Sequence, residues 1–434
     1  MVSQKQPELP LFSRIPATNT TQFGDLLSLF KSAGKPGSES DCRDQSYLDH
    51  QDHTVRLPIC TNEYWTSRQR AAHRLHEISY RACFKPQLPR FFIERLTSPG
   101  DVVYDPFMGR GTTLIESALL NRIPYGCDVN PLSQVLTAPR LDPPFQDDAT
   151  ESLRQMDWTQ IEGFNEEFLV FYHPKTLQQI CALRNYLLTN QQHRALSREE
   201  DWNRLITLNR LTGHSSGFLS VYTMPPNQAV SLKSQRRINE RRNQTPTFRD
   251  LIPIVMKKSH RLLNWCDATT RQSLRGARSR SLILTGAADR TPAIPTDSVA
   301  LIVTSPPFLS VVDYAQDNWL RCWFLGVDPD SVKLSVYSKL ENWKLAMTEI
   351  FRELHRVLKP GGHIAFEVGE VNAGKIKLEE AVVPCGTAAG LQPILILINQ
   401  QTFTKTAQCW GVRNNRKGTN TNRIVLFQKS SNPV

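Results

Sequence analysis

Long apolar runs are missing from this sequence: no stretch approaches the roughly 18 to 20 consecutive apolar residues of a membrane-spanning helix. The opening MVSQKQPELPLFSR lacks the basic-then-apolar order of a secretory signal, so a cytoplasmic location is expected. The nine cysteines are scattered and none forms a C-x-x-C pair, which argues against both a zinc knuckle and a disulfide framework and predicts reduced thiols. Acids are scarce between Asn203 and Arg280, where fifteen Lys or Arg face three acids in a chain whose net charge is +11. The remainder is therefore close to neutral. A positive field concentrated in this way suits a phosphate backbone, with solvated helix faces as the bland alternative.

What is present is an ordinary globular composition, 40% hydrophobic and 21% charged over 434 residues, ample for a large core and a second lobe. Residues 1–60 are polar and weakly periodic and predict a flexible arm, with one helix at most near the apolar patch from Phe23 to Phe30. The stretch TSRQRAAHRLHEISYRAC predicts a helix capped by Ser67, carrying His73 and His76 as surface residues and not as a metal site. Then DVVYD, GTTLIESALLN and IPYGCDV read as strand, helix and strand, the start of a doubly wound, mostly parallel α/β sheet. Strand signals stop until SLILTG and SVALIV, and continue after the helix WKLAMTEIFRELHRVLK with HIAFEV, LQPILILI and RIVLFQK. This gives about seven strands divided between residues 61–138 and 281–434, with residues 139–280 as a mainly helical, basic insertion.

Within DPFMGRGTT, Gly109 and Gly111 allow a tight strand-to-helix turn at which a cofactor meets the main chain. A nicotinamide fingerprint would need glycine where Leu114 stands, and a phosphate-binding P-loop would need a lysine that this turn lacks. Asp128, at the end of the next strand, is placed to accept hydrogen bonds from two ribose hydroxyls. Asp105, Phe107, Gly109, Gly111, Thr112 and Asp128 are the candidate cofactor residues.

DPFMGRGTTLIESALL with YGCDVNP resembles motifs I and II of the amino-group DNA methyltransferases, and TSPPF resembles their motif IV. FKPQLPRFFIERLTSPGDVVYD looks like the segment covering the methionine end of their cofactor. TGAADRTPAIPTDSVALIVTSPPF looks like motif III running into motif IV, which implies that Asp289 lies near the adenine. The resemblance covers roughly residues 64–135 and 281–430. It implies a Rossmann-like methyltransferase sheet, S-adenosylmethionine as cofactor, no metal, and double-stranded DNA as partner. A nucleoid-associated location and a cognate restriction endonuclease fit the same picture.

Methyl transfer to an exocyclic amine is hard because the nitrogen lone pair is conjugated into the base ring. Two acceptors that draw the amino hydrogens toward a tetrahedral nitrogen, and a flat clamp, meet the need. In SPPF the Ser305 hydroxyl and the Pro306 carbonyl supply the acceptors, Pro307 stiffens the turn, and Phe308 stacks on a flipped base. The sequence carries its own decoys. DPPF at Asp142 to Phe145 follows no buried strand, and MPPN at 224–227 lacks the aromatic. Tyr314 and Asp313 are modest candidates for base contact, whereas Trp319 and Trp323 read as a core stripe.

In the insertion, SLKSQRRINERRNQTPTFRD interleaves Arg236, Arg237, Arg241 and Arg242 with Asn and Gln, a mixture suited to phosphates and base edges and so to target recognition. Serine in the catalytic motif, preceded by Thr304, looks like the cytosine-N4 enzymes; Asp or Asn there would look like adenine-N6 enzymes. The expectation is a sequence-specific cytosine-N4 DNA methyltransferase. Adenine N6, RNA guanine N2 and an inactive basic DNA-binding protein on the same fold are the alternatives.

Overall fold

The computed structural model describes residues 23–431 apart from 36, 67–71, 81–82, 225–228, 308–313, 333–336, 338, 372–375 and 401–420. Residues 1–22, Phe308, Asp313 and most of the MPPN decoy thus lie outside the described residues. No helix among the described residues is long and apolar enough to cross a membrane.

The first elements are α1 (Phe23–Ser32), β1 (Asp41–Leu48), β2 (Thr54–Asn62) and α2 (Gln87–Leu96). The first half of the parallel sheet follows with β3 (Val102–Asp105), α3 (Thr112–Leu119), β4 (Ile123–Asp128) and α4 (Pro131–Leu141). Six further helices lead to the second half: α5 (Gln146–Arg154), α6 (Pro174–His193), α7 (Arg198–Leu208), α8 (Leu232–Arg242), α9 (Leu251–Leu263) and α10 (Ala268–Arg278). That half contains β5 (Leu282–Thr285), β6 (Val299–Thr304), α11 (Tyr314–Leu325), α12 (Leu340–Val357) and β7 (Leu358–Val368). A two-residue pair, β8 (Glu370–Val371) with β9 (Ile376–Lys377), precedes α13 (Glu379–Ala388), β10 (Gln392–Gln400) and β11 (Thr421–Gln428).

The main sheet has nine strands, not seven, in the order β1-β2-β10-β11-β7-β6-β3-β4-β5. The two additional strands come from the segment expected to be a flexible arm. β1, DCRDQSYL, is largely exposed along its length, so its polar composition reads as loop; what holds it is β2, which pairs with β1 on one side and in parallel with β10 on the other. Cys42 and Cys60 are register partners in that hairpin and are joined as a disulfide, which corrects the expectation of free thiols at these two positions.

β6 is buried at all six positions and β3 at its last three, as expected for strands covered on both faces. Along them, alternate residues serve opposite cores. Ile302, Phe366 and Val425 pack against Trp343, Met347 and Phe351 of α12. Leu301, Val303, Ala365 and Ile424 pack against Phe91 and Phe92 of α2 and Phe30 of α1. A third cluster unites Ile115 and Leu136 of α3 and α4 with Leu205, Leu251 and Leu274 of the inserted helices. The inserted region therefore shares its core with the sheet domain.

The strand order reverses between β3 and β6. From β3 the chain steps outward to β4 and β5, then returns to place β6 on the other side of β3. In open α/β sheets the crevice beyond the carboxyl ends of two such strands is where ligands bind.

Candidate active site

β3 ends on Asp105 and β6 ends on Thr304, so the reversal brings the two ends side by side. The Thr304 hydroxyl donates to Asp105 Oδ1 at 2.7 Å, and Thr113 Oγ1 of α3 donates to the Val303 carbonyl at 3.1 Å. Two sequence motifs about 200 residues apart are thus hydrogen-bonded to each other. The cleft they open is lined by Tyr80, Asp105, Phe107, Gly109, Thr112, Asp128, Asp289, Ser305 and Pro307, among others.

The glycine turn has a steric reason. Gly111 has φ of +70°, and a Cβ there would meet Thr137 Oγ1 at 2.3 Å and Cγ2 at 2.5 Å. Gly109, with φ of +48°, donates its N–H to Asp128 Oδ2 at 2.8 Å, while Asn130 N donates to Asp128 Oδ1 at 2.9 Å. Asp128 spans the turn in this way and each oxygen keeps a further lone pair. Burial raises its pKa against these backbone donors. Asp105 is almost wholly buried with two neutral donors, the Thr304 hydroxyl and the Phe107 N–H, and burial pushes its pKa up to about 6. Thr112 is buried at the start of α3 and accepts from Arg110 Nε at 3.2 Å, whereas Asp289 is exposed at the rim.

On the other side, Ser305 is half-buried, Pro306 is buried, and the Pro307 carbonyl is held by the indole N–H of Trp343 at 3.1 Å. Glu367 stands beside Ser305 because Phe366 is the register partner of Thr304 across the parallel β6–β7 pair. Its carboxyl accepts from Asn422 Nδ2 at 2.5 Å, and burial pushes its pKa up to about 7 although Asn422 and the neighbouring Ser305 hydroxyl both favour the ionised form. Glu367 was not foreseen. The signal was there: an acid interrupts the apolar strand HIAFEV at its carboxyl end, the end that faces a site in this fold.

The segment from Arg74 to Phe84 departs from the helix expected of it. Its only described helical turn is Arg74–His76, of the 3-10 type. The carbonyls of Leu75, Glu77, Ile78 and Ser79 are taken by Arg140 (3.0 Å), Lys258 (2.6 Å), Arg110 (2.9 Å) and Arg321 (3.1 Å), so they do not serve a helical ladder. His73 and His76 are buried and not on the surface; burial lowers the His76 pKa to about 4, and its Nε2 meets Glu116 Oε1 at 2.7 Å. The loop delivers Tyr80, Cys83 and Phe84 to the cleft.

The decoy DPPF has a structural explanation. The Pro143 and Pro144 carbonyls accept from Arg271, whose guanidinium also covers the exposed Phe145 ring at 4.4 Å. Trp319 and Trp323 pack on Phe168, and Trp319 also on Phe171, as a core stripe. Tyr314 opens α11, and its side chain is outside the described set. On α8, Arg236, Arg237, Arg241 and Arg242 are all exposed, with Arg242 stacked on Tyr222 at 3.8 Å. Asn243 is exposed, but the other three interleaved amides are engaged internally: Gln235 and Gln244 both donate to the Tyr222 carbonyl and Asn239 to that of Val170. They hold α8 in place and do not face outward as base readers.

Residues 37–134 match a family described as DNA methylase, of the N6/N4 type. A type II methyltransferase of Kocuria varians is 31% identical over 111 residues, covering 25% of this chain and 23% of that one. One of Methanocaldococcus jannaschii is 34% identical over 74 residues, 17% and 14% of the two chains. One of Geobacillus stearothermophilus is 22% identical over 294 residues, 62% and 56%. The matched segment holds Asp105, Gly109, Gly111 and Asp128, and over that segment the chain is similar to this family. It spans a quarter or less of the first two relatives and about half of the third.

Proposed function

We propose that this protein is a DNA methyltransferase that transfers a methyl group from S-adenosylmethionine to the exocyclic N4 of a cytosine flipped out of duplex DNA. The observation that carries the reading is the Thr304–Asp105 hydrogen bond at the reversal of the sheet, which ties the serine-proline motif to the glycine turn over a single cleft. The cleft suits the donor. Asp128 keeps lone pairs for ribose hydroxyls, and Asp105, a buried carboxyl with neutral partners, is complementary to the ammonium of an amino-acid tail. When bound, this cofactor supplies an electrophilic methyl group on a sulfonium.

Ser305 Oγ and the Pro306 carbonyl accept the two amino hydrogens and favour a tetrahedral nitrogen whose lone pair faces the methyl group. Trp343 holds the Pro307 carbonyl, which fixes the turn without occupying the Pro306 acceptor. Held by Asp128 and Asp105, the donor would supply its methyl group to that lone pair and leave as the neutral thioether. The nitrogen is then cationic and sheds one proton to Ser305 Oγ while the hydroxyl's own proton passes to Glu367, leaving a neutral methylamine and a neutral carboxyl. In-line positioning supplies most of the acceleration. The exposed arginines of α8 serve DNA phosphates.

The test uses purified protein, a methyl-labelled donor and unmethylated genomic DNA or total RNA. Label entering DNA supports the reading. Label entering RNA alone, or neither, overturns it.

A further inference from the structure

At the carboxyl edge of the sheet a chain of polar side chains runs across four neighbouring strands on one face. Glu367 pairs with Ile424 of β11, so Asn422, two residues earlier, points to the same side. Asn422 is in turn the register partner of Asn399 on β10. Asn399 is fully buried, and its Oδ1 accepts from the backbone N–H groups of Tyr64 at 2.8 Å and Trp65 at 3.1 Å. Its Nδ2 faces Asn422 Oδ1 at 3.5 Å, and Asn422 Nδ2 donates to Glu367 Oε1 at 2.5 Å.

The direction of this chain is set at one end. A backbone N–H cannot be turned into an acceptor, so Tyr64 and Trp65 fix which end of the Asn399 amide is oxygen. Asn399 then presents N–H to Asn422, and Asn422 presents N–H to Glu367. One oxygen of the Glu367 carboxylate thereby accepts from a donor, and the ionised carboxylate has no hydrogen of its own to give. The Ser305 hydroxyl, the remaining partner, must donate to the carboxylate and so keeps its lone pairs for the amine. A buried amide without partners costs about 1–3 kcal/mol, and an apolar residue at 399 would also leave the Tyr64 and Trp65 N–H groups without theirs.

We propose that Asn399 and Asn422 are positioning residues. They transmit the polarity of the Tyr64–Trp65 backbone to Glu367, and so hold the Ser305 hydroxyl as an acceptor toward the target amine. The proposal rests on the reading of Ser305 given above. It makes the segment that leaves the β1–β2 hairpin part of the catalytic apparatus, about 240 residues before Ser305 in sequence.

The experiment compares wild type, Asn422→Asp, Asn422→Leu and Asn399→Asp in single-turnover methylation of duplex DNA from pH 5.5 to 9.5, with donor affinity measured by calorimetry. Glu367 must be ionised to take the hydrogen bond from Ser305, so the wild-type rate rises with pH through a limb near its pKa of about 7. Removing the Asn422 donor destabilises the carboxylate, and the limb moves to higher pH by at least one unit, a tenfold loss at pH 6 that vanishes at pH 9. Asn399→Asp still accepts from Tyr64 and Trp65 but cannot direct Asn422, and shifts the limb in the same direction by less. Donor affinity stays unchanged. As a readout independent of turnover, the Glu367 carboxyl band, isolated in infrared difference spectra against Glu367→Gln, titrates higher in each variant. A uniform loss of rate at every pH with an unmoved infrared midpoint overturns the proposal while the functional reading stands. A wild type that methylates no DNA overturns both.

Discussion

The two halves of the cleft are built in opposite ways. On the cofactor side, Asp105, Gly109, Gly111 and Asp128 come from one strand, turn, helix and strand within 24 residues, and their geometry is set by contacts between near neighbours such as Gly109 to Asp128. On the catalytic side, Ser305 depends on Glu367, Asn422, Asn399 and the Tyr64–Trp65 backbone, which only the strand order β2-β10-β11-β7-β6 assembles. The first is a local arrangement of near neighbours around the cleft; the second is a long-range chain of side chains, proposed above to set a proton's direction. The cofactor site proposed here is carried by one unit of the fold, while the proposed polarity of a single hydroxyl draws on five of the nine strands.

Substitutions on the two sides should therefore separate binding from chemistry. The largest effect is expected for Ser305→Ala, which removes an acceptor used as the nitrogen becomes tetrahedral: the single-turnover rate falls by roughly 10²–10³-fold, by analogy with the loss of one oxyanion-hole donor, while donor affinity measured by calorimetry is nearly intact. Asp128→Ala acts the other way. It removes charged hydrogen bonds worth about 1.5–3 kcal/mol, so donor affinity drops by one to two orders of magnitude and the rate at saturating donor changes little. If either variant moved both quantities equally, the division between the halves would be wrong.

Gly111→Ala probes packing. A Cβ clashing with Thr137 in a left-handed turn destabilises the fold by about 1–3 kcal/mol, read from the denaturant midpoint. The smallest effect falls outside the cleft. Arg236→Ala with Arg237→Ala leaves donor affinity alone and lowers the slope of log DNA affinity against log salt by about 2, provided both face phosphates. An unchanged slope removes α8 from the DNA-contacting surface.

The same contrast explains what could be read from the sequence. The glycine turn, Asp128 and β6 running into TSPPF were legible because each is a contiguous pattern, and the strands of the second half followed from apolar runs such as SVALIV. β1 was not legible because its polar residues become strand only by pairing with β2, which is itself held against β10. The 74–84 segment has helical spacing, yet four cations from distant positions take its carbonyls, a tertiary override that no local pattern announces. The amides of α8 look like base readers by composition, and only the structure shows them bonded to the Tyr222 and Val170 carbonyls. Glu367 was visible as an odd acid in an apolar strand, but its partner Ser305 lies 62 residues earlier and meets it only through β6–β7 pairing.

The most direct test is to express the protein in a host devoid of DNA methylation, digest the host DNA to nucleosides and identify the methylated species by mass spectrometry. Ser305 with Glu367 behind it predicts N4-methylcytosine, absent from cells carrying Ser305→Ala. N6-methyladenine in its place would contradict the assignment of the base, and a digest with neither nucleoside would contradict the assignment of the reaction.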